Sequence, residues 1–360
     1  MGELGRLPLS CADALSDALS EAGYAVSDNA ASSAWCTNVR RDIRGLHALG
    51  LLQRSLNRVA TARADGAGGA AEGHLCEKKG IFELDLLLDG ALAAPEALEA
   101  APALRAWLGD SLTHREGGSE ADAHAEPPAG DALDGSGCGA LMAALNAAAP
   151  WLGLTHLDTL KVQYNEGVGG CFPMHFDTTP AISRRTLTAI LYLSDEWQPE
   201  HGGKLRLYPF PLAEAEVAPE AGRLALFSST TTLHRVLPAT AGAPRCVLSL
   251  WFAGAAPPYP QRYPAWAERC AAEQEPAITP PVLAFLRRPA NARVLCKVLL
   301  ADAWADSITA AFGHSAGVHE ALALHYKEVD ALEKQCSVPM LHLLRTRLPL
   351  RPPAEREDKA

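Results

Sequence analysis

The sequence predicts a mainly β core framed by helices, and three observations carry that expectation. Between Leu157 and Phe252 the apolar period falls to two, as in strands that bury one face. Turn signals at Gly167–Gly170, Gly202–Gly203, Pro219–Gly222 and Ala241–Pro244 cut this region into short segments. On either side the period returns to that of a helix. Short alternating segments punctuated in this way build a sandwich or a barrel.

Taken in order, residues 7–25 and 36–60 place apolar side chains at helical spacing. Leu46, Leu49, Leu51, Leu52 and Leu56 form the stripe of the second segment. Residues 61–73 are rich in Gly and Ala and read as a loop. Alternation from Phe82 predicts a strand, and Pro95 to Leu108 a helix with proline in its first turn. Residues 113–139 carry Gly, Ser, Asp, Glu and Pro with almost no large apolar side chain. They are expected to form a flexible acidic insertion whose histidines, His114 and His124, are solvated.

A helix from Ala140 to Trp151 leads into the expected strands Leu160–Tyr164, Thr186–Leu193, Lys204–Leu207, Arg223–Phe227 and Pro244–Phe252. Past Pro257, Ala265–Glu273, Val282–Leu286, Ala292–Phe312 and Val318–Leu344 read as helices. The expected organisation is an N-terminal helical and strand region (1–112) buttressing the barrel, the insertion, a core domain (140–256), a helical extension (257–348) and a disordered tail (349–360).

At 360 residues with 48% hydrophobic composition, the chain has enough length for a substantial core. Its formal net charge of -10 argues against general attraction to phosphate backbones. The basic pairs Arg40–Arg41 and Arg287–Arg288 are too short to make a nucleic-acid track, so no nucleic-acid partner is expected. The nine cysteines are scattered without a CxxC pair, which gives neither a disulfide framework nor a zinc ribbon. No apolar run follows a basic start and none reaches membrane-spanning length. A cytoplasmic or nuclear location is expected.

The chemistry-bearing pattern is His175-x-Asp177 followed by His234, fifty-nine residues on (234 − 175 = 59). In a strand, residues i and i+2 point to one face, so the first two would project together. Two imidazoles and a carboxylate make the facial triad that binds non-haem Fe(II) and leaves positions open. The last strand adds to this. Cys246, Leu248, Leu250 and Phe252 share an apolar face, and Arg245, Val247, Ser249 and Trp251 share the other. An arginine inside so apolar a strand requires an anion, and its fork of N–H donors beside a hydroxyl suits a carboxylate. Tyr164 and Tyr192, on strands before and after the pair, each offer an apolar wall and one hydroxyl.

Tyr164-Asn-Glu-Gly, Phe172-Pro-Met-His-Phe-Asp177, the run from Arg185 to Asp195 with Trp197, Gly202–Pro209, Val217–Phe227, His234-Arg-Val and Arg245–Trp251 together resemble the Fe(II)/2-oxoglutarate-dependent dioxygenases. Within them the likeness is to the prolyl 4-hydroxylase family, nearest its oxygen-sensing cytosolic and nuclear branch, where the 2-oxoglutarate clamp is an arginine. The resemblance implies a double-stranded β-helix of the jelly-roll or cupin-like kind. It implies Fe(II), 2-oxoglutarate, O2 and ascorbate as cofactors and reductant, with succinate and CO2 as co-products. By position, His175, Asp177 and His234 would hold iron, and Arg245 would take the distal carboxylate with Tyr192 and Ser249. Tyr164 would line that pocket, Trp251 would wall the iron site, and Arg185 would lie near the substrate entrance. The interval from His234 to Arg245 is eleven (245 − 234 = 11), longer than usual in the family, and the excess falls in the Pro238–Pro244 turn.

The expected activity is hydroxylation of a prolyl residue in a protein or peptide. A small molecule or another side chain is the alternative substrate. A non-catalytic scaffold is disfavoured by the intact triad and clamp. A nucleic-acid demethylase would carry a second arginine where Ser249 and Trp251 stand.

Overall fold

The computed structural model describes residues 12–60, 73–113, 137–179, 182–254 and 280–347. The large sheet runs through β1 (Tyr24–Ser27), β10 (Leu224–Ser228), β7 (Arg185–Tyr192), β12 (Arg245–Gly254), β5 (Leu154–Asn165), β3 (Gly73–Leu88) and β2 (Gln53–Ala60). The short β4 (Ala91–Leu92) folds back on β3. A smaller sheet runs β6 (Phe172–His175), β11 (Leu233–Val236), β8 (Leu205–Tyr208), β9 (Ala215–Val217). Every pairing is antiparallel. From β5 to β12 the chain switches sheet at each step except β8 to β9. That path is a double-stranded β-helix, so the fold is a jelly roll with flanking helices.

Alternation decides what each face meets. Cys246, Leu248, Leu250 and Phe252 of β12 are all 0% exposed and point away from the small sheet. They join Leu160 and Val162 of β5 and Leu187, Ala189 and Leu191 of β7. That apolar face is covered by α1 (Ala12–Ala22), α2 (Ser33–Ala48), α4 (Pro102–Thr113) and α5 (Gly137–Ala148), which contribute Leu15, Ile43, Leu104 and Leu141. The inner faces of the two sheets enclose Ile190, Tyr192, Leu205, Leu207, Phe227, Val236 and Val247.

A third cluster joins the outside of the small sheet to the helical extension: α6 (Pro280–Leu286), α7 (Pro289–Leu299), α8 (Ala301–Phe312), α9 (Ala316–Glu333) and α10 (Val338–Arg347). Met174, Tyr208, Phe210 and Leu233 meet Leu286, Leu295, Val298 and Leu344 there.

The fold departs from the expectations at identifiable places. The segment 36–60 is a helix only to Ala48. Gly50 takes φ 72°, a left-handed value that suits glycine, and Leu51 N–H returns to the Leu46 carbonyl at 2.9 Å. Beyond it Gln53–Ala60 is β2, paired to β3, so the stripe fails at Leu49 and Leu56, which are 65% and 50% exposed. Pro95–Leu108 divides into α3 (Pro95–Glu99) and α4, since Pro102 lacks the N–H to continue a helix and instead opens one.

The extension helices likewise break at Leu300 and near Ser337. The N-terminal region does more than buttress: β1, β2, β3 and β4 are bonded into the large sheet. Expectations for residues 61–72, 114–136, 255–279 and 348–360, including His114, His124 and the helix Ala265–Glu273, lie outside the described residues.

Candidate active site

The two histidines are direct cross-strand partners. His175 at the end of β6 faces His234 on β11, with ring centroids 4.3 Å apart. Asp177 is not on that strand, because β6 ends at His175 and the carboxylate sits in the bend that follows. Alternation persists through the bend all the same, for Met174 and Phe176 turn out into the extension cluster. Asp177 Oδ1 lies 3.5 Å from Nε2 of both His175 and His234, and one ligand atom from each residue falls within 4.8 Å of the others.

Hydrogen bonds around the cluster fix which atoms face inward. His175 Nδ1 is 2.8 Å from the Pro173 carbonyl and His234 Nδ1 is 3.1 Å from the Thr232 carbonyl. A carbonyl can only accept, so Nδ1 carries the proton and Nε2 is left with its lone pair. On Asp177, Oδ2 accepts from Thr188 Oγ1 at 2.5 Å, and Thr188 Oγ1 is in turn 2.8 Å from Ser229 Oγ. Oδ1 is therefore the oxygen left for a ligand.

Burial alone would raise the Asp177 carboxyl. The electrostatic pull of the two imidazoles, His234 first and then His175, outweighs it and holds the group well below the usual carboxylate range. The Asp177 and His234 side chains are 7% and 5% exposed but that of His175 is 38%, so the cluster opens on the His175 side. The donor set, two imidazoles and one carboxylate converging beside the exposed edge of His175, fits a divalent iron with coordination positions to spare.

The second half of the site is an orphaned cation. Arg245 opens β12, is 4% exposed and has its guanidinium 5.3 Å from the Tyr192 ring. Neither Arg245 Nε nor the Tyr192 hydroxyl has a hydrogen-bond partner. Burial pulls the guanidinium below its ordinary value and pushes the Tyr192 phenol up. A buried guanidinium with an unpartnered Nε beside a buried hydroxyl suits an anion such as a carboxylate. Gly203, at φ 69°, closes this end. A Cβ there would come within 3.1 Å of Arg245 Cδ, so glycine makes room for the clamp.

Ser249 shares the face of Arg245, opposite Ile190. Trp251 pairs with Thr188, the residue bonded to Asp177, and its indole Nε1 is buried without a partner. Arg185 stacks over that indole at 5.4 Å and donates to Asp158 and Thr159, both at 2.7 Å. Tyr164 does not join them. It pairs with Cys246, so it lies on the opposite face of the sheet, packed on the outer cluster with its ring 4.4 Å from His47.

Thr188 and Ser229 were not singled out from sequence. Thr188 shares its strand face with Tyr192, and that parity was the available signal. The Pro173 and Thr232 carbonyls leave no trace in side-chain identity.

This geometry suits a non-haem metal ion at the His175, Asp177, His234 cluster inside a jelly roll. Residues 160–253 match the family model of the 2OG-Fe(II) oxygenase superfamily. The matched stretch includes His175, Asp177, His234 and Arg245, and enzymes of that superfamily use Fe(II), 2-oxoglutarate and O2. No curated protein is significantly similar in sequence. Among solved structures, a prolyl 4-hydroxylase from Phytophthora capsici superposes with TM-score 0.62 at 23% identity, covering 96% of this chain and 95% of its own. A Pseudomonas putida prolyl-4-hydroxylase gives 0.43 at 22%, covering 68% and 98%. A Trichoplax adhaerens prolyl hydroxylase, solved with a fragment of the hypoxia inducible factor oxygen degradation domain, gives 0.42 at 20%, covering 68% and 90%.

Proposed function

We propose that the protein hydroxylates a prolyl residue held in an extended peptide segment. The observation that carries the oxidative part is the buried Arg245 and Tyr192 pair, with unpartnered Nε and hydroxyl, on the face of the large sheet whose Thr188 holds Asp177 of the His175, Asp177, His234 cluster. These three would hold Fe(II), and Arg245 with Tyr192 and Ser249 would take the distal carboxylate of 2-oxoglutarate. The bound iron, with 2-oxoglutarate and O2, supplies oxidative decarboxylation to succinate and CO2 and the transfer of one oxygen atom to a C–H bond.

The chain's own residues do the rest. Hydrogen bonds from Nδ1 keep both Nε2 atoms aimed inward. Thr188 orients the carboxylate, and burial of Arg245 keeps water from competing for the clamp.

A peptide substrate is supported by the polar wall that Ser249 and Trp251 share with the neighbouring strands. Besides the free indole N–H of Trp251, that wall carries Arg185 paired with Asp158, and Lys161 within 3.2 Å of Glu83 and 3.6 Å of Asp85. Such a polar wall suits backbone amides better than an apolar metabolite. The fold likeness to the Phytophthora prolyl 4-hydroxylase across almost the whole chain favours proline as the target.

The test incubates the full chain with Fe(II), ascorbate, 2-oxoglutarate and proline-containing peptides, then measures succinate and peptide mass. Peptides should raise succinate output and gain one oxygen on proline, and Asp177→Ala should abolish both. Unchanged succinate in Asp177→Ala removes the metal assignment. Stimulation by small metabolites or methylated oligonucleotides alone, with no oxygen on proline, removes the prolyl reading.

A further inference from the structure

The helical extension reaches the metal cluster from behind. Arg293, on α7, donates through one guanidinium nitrogen to two carbonyls, Thr178 at 2.9 Å and Thr230 at 2.7 Å. Thr178 directly follows Asp177, and Thr230 lies in the turn that leads to His234. The same guanidinium stacks on Phe176 with its carbon 4.1 Å from the ring centre, and Phe176 stands between His175 and Asp177. From α8, Ser307 Oγ accepts the Met174 N–H at 2.8 Å, one residue before His175, and donates to the Trp304 carbonyl at 2.6 Å. Leu233, beside His234, packs into the same extension cluster. Every metal-facing residue thus has a neighbour in sequence that is held by the extension.

The two ligand-bearing segments also touch each other. Thr178 N–H donates to the Ser229 carbonyl at 3.2 Å, and Thr230 and Thr231 N–H groups turn back to Ser228 Oγ at 3.3 and 3.2 Å. Asp177 lies beyond the end of β6 and Thr230 precedes the start of β11, so strand pairing does not fix either place. To the links through Ser229 and Thr188, Arg293 adds a constraint from outside the barrel by joining both carbonyls at a single nitrogen.

We propose that Arg293, with Ser307 in support, is a positioning residue for the metal cluster, and that the helical extension serves as its brace. The brace sets the separation between the Asp177 bend and the turn before His234, and with it the placement of Asp177 Oδ1 against the two Nε2 atoms. Groups that orient metal ligands from outside typically contribute about ten- to a hundredfold in metal affinity. Lysine could keep the two carbonyl contacts but not the flat stacking on Phe176.

This inference rests on the metal reading above, and its test separates the two. Apo full-length protein is titrated with Co(II), with calorimetry giving the affinity and the visible spectrum the coordination geometry. Wild type should bind one equivalent. Arg293→Ala should fold, judged by circular dichroism, yet bind about ten- to a hundredfold more weakly with an altered spectrum. Arg293→Lys should recover part of both, and Ser307→Ala should shift them in the same direction as Arg293→Ala.

If wild type binds no Co(II), the metal reading itself falls. If wild type binds and the variants lose only melting temperature, keeping affinity and spectrum, Arg293 merely docks the extension and the positioning role is overturned. Should Arg293→Ala not fold, Arg293→Lys decides alone: wild-type affinity and spectrum there overturn the proposal.

Discussion

At the residue scale the site turns on side chains whose satisfaction comes from outside the chain. Arg245 is buried with an unpartnered Nε beside an unpartnered Tyr192 hydroxyl. A charge-assisted hydrogen bond to a bound carboxylate contributes about 1.5–3 kcal/mol. Arg245→Ala should therefore raise the KM for 2-oxoglutarate by roughly ten- to a hundredfold, and Arg245→Lys by less. Steady-state succinate assays measure this, and wild-type constants in both variants would move the anion site elsewhere. The grouping of His175 and Asp177 was legible in their spacing, and the burial of Arg245 in the apolar strand around it. Tyr164 was misplaced because its face depends on register. Arg245 pairs with Asn165, which sends the neighbouring Tyr164 to the other side of the sheet, and no composition rule reveals that pairing.

At the scale of elements, β12 was readable almost residue by residue, since one wholly apolar face must be packed. The segment that became β2 was not, because Leu51, Leu52 and Leu56 fit a helical stripe as well as a strand and only the left-handed Gly50 separates the two. The β2–β3 pair contains an unusual contact. Lys78 on β3 is 3% exposed, donates to Ser55 and Asn57 of β2 at 2.8 and 2.9 Å, and lies 4.6 Å from the Phe172 ring centre. Burial lowers its pKa from 10.5 to about 8. Between those values the unfolded chain holds a proton that the folded chain has released, so stability rises with pH across about 8 to 10.5. Below pH 8 both states are protonated and the cost of burying the charge is present in full. Lys78→Met should lack this rise. Melting temperatures of the two proteins at neutral pH and near pH 10 test it, and parallel curves would refute it.

At the scale of the whole molecule, the metal cluster joins the two sheets. His175 and His234 belong to the small sheet, while Asp177 is tied by Thr188 to the large one. A metal bound there binds the closed sandwich and not the unfolded chain, so a hundredfold excess over Kd should add about 2.7 kcal/mol. Calorimetric melts with anaerobic Fe(II) should show the upward shift and melts with chelator its loss, and His234→Ala should melt alike in both. The jelly roll was foreseeable from short alternating segments, but the work of the helical extension was not. Its link to the site runs through main-chain carbonyls and a main-chain N–H, which carry no side-chain identity, so neither Arg293 nor Ser307 stands out by type. That dependence gives the site a place in time. When Gly254 joins the growing chain, every metal-facing residue has been made but Arg293 has not, and thirty-nine more residues (293 − 254 = 39) must follow. At about 5–20 residues per second the interval is roughly 2–8 seconds. During it the barrel has all its strands and no brace, so full metal affinity arrives after the last strand, as a late step in the birth of the protein.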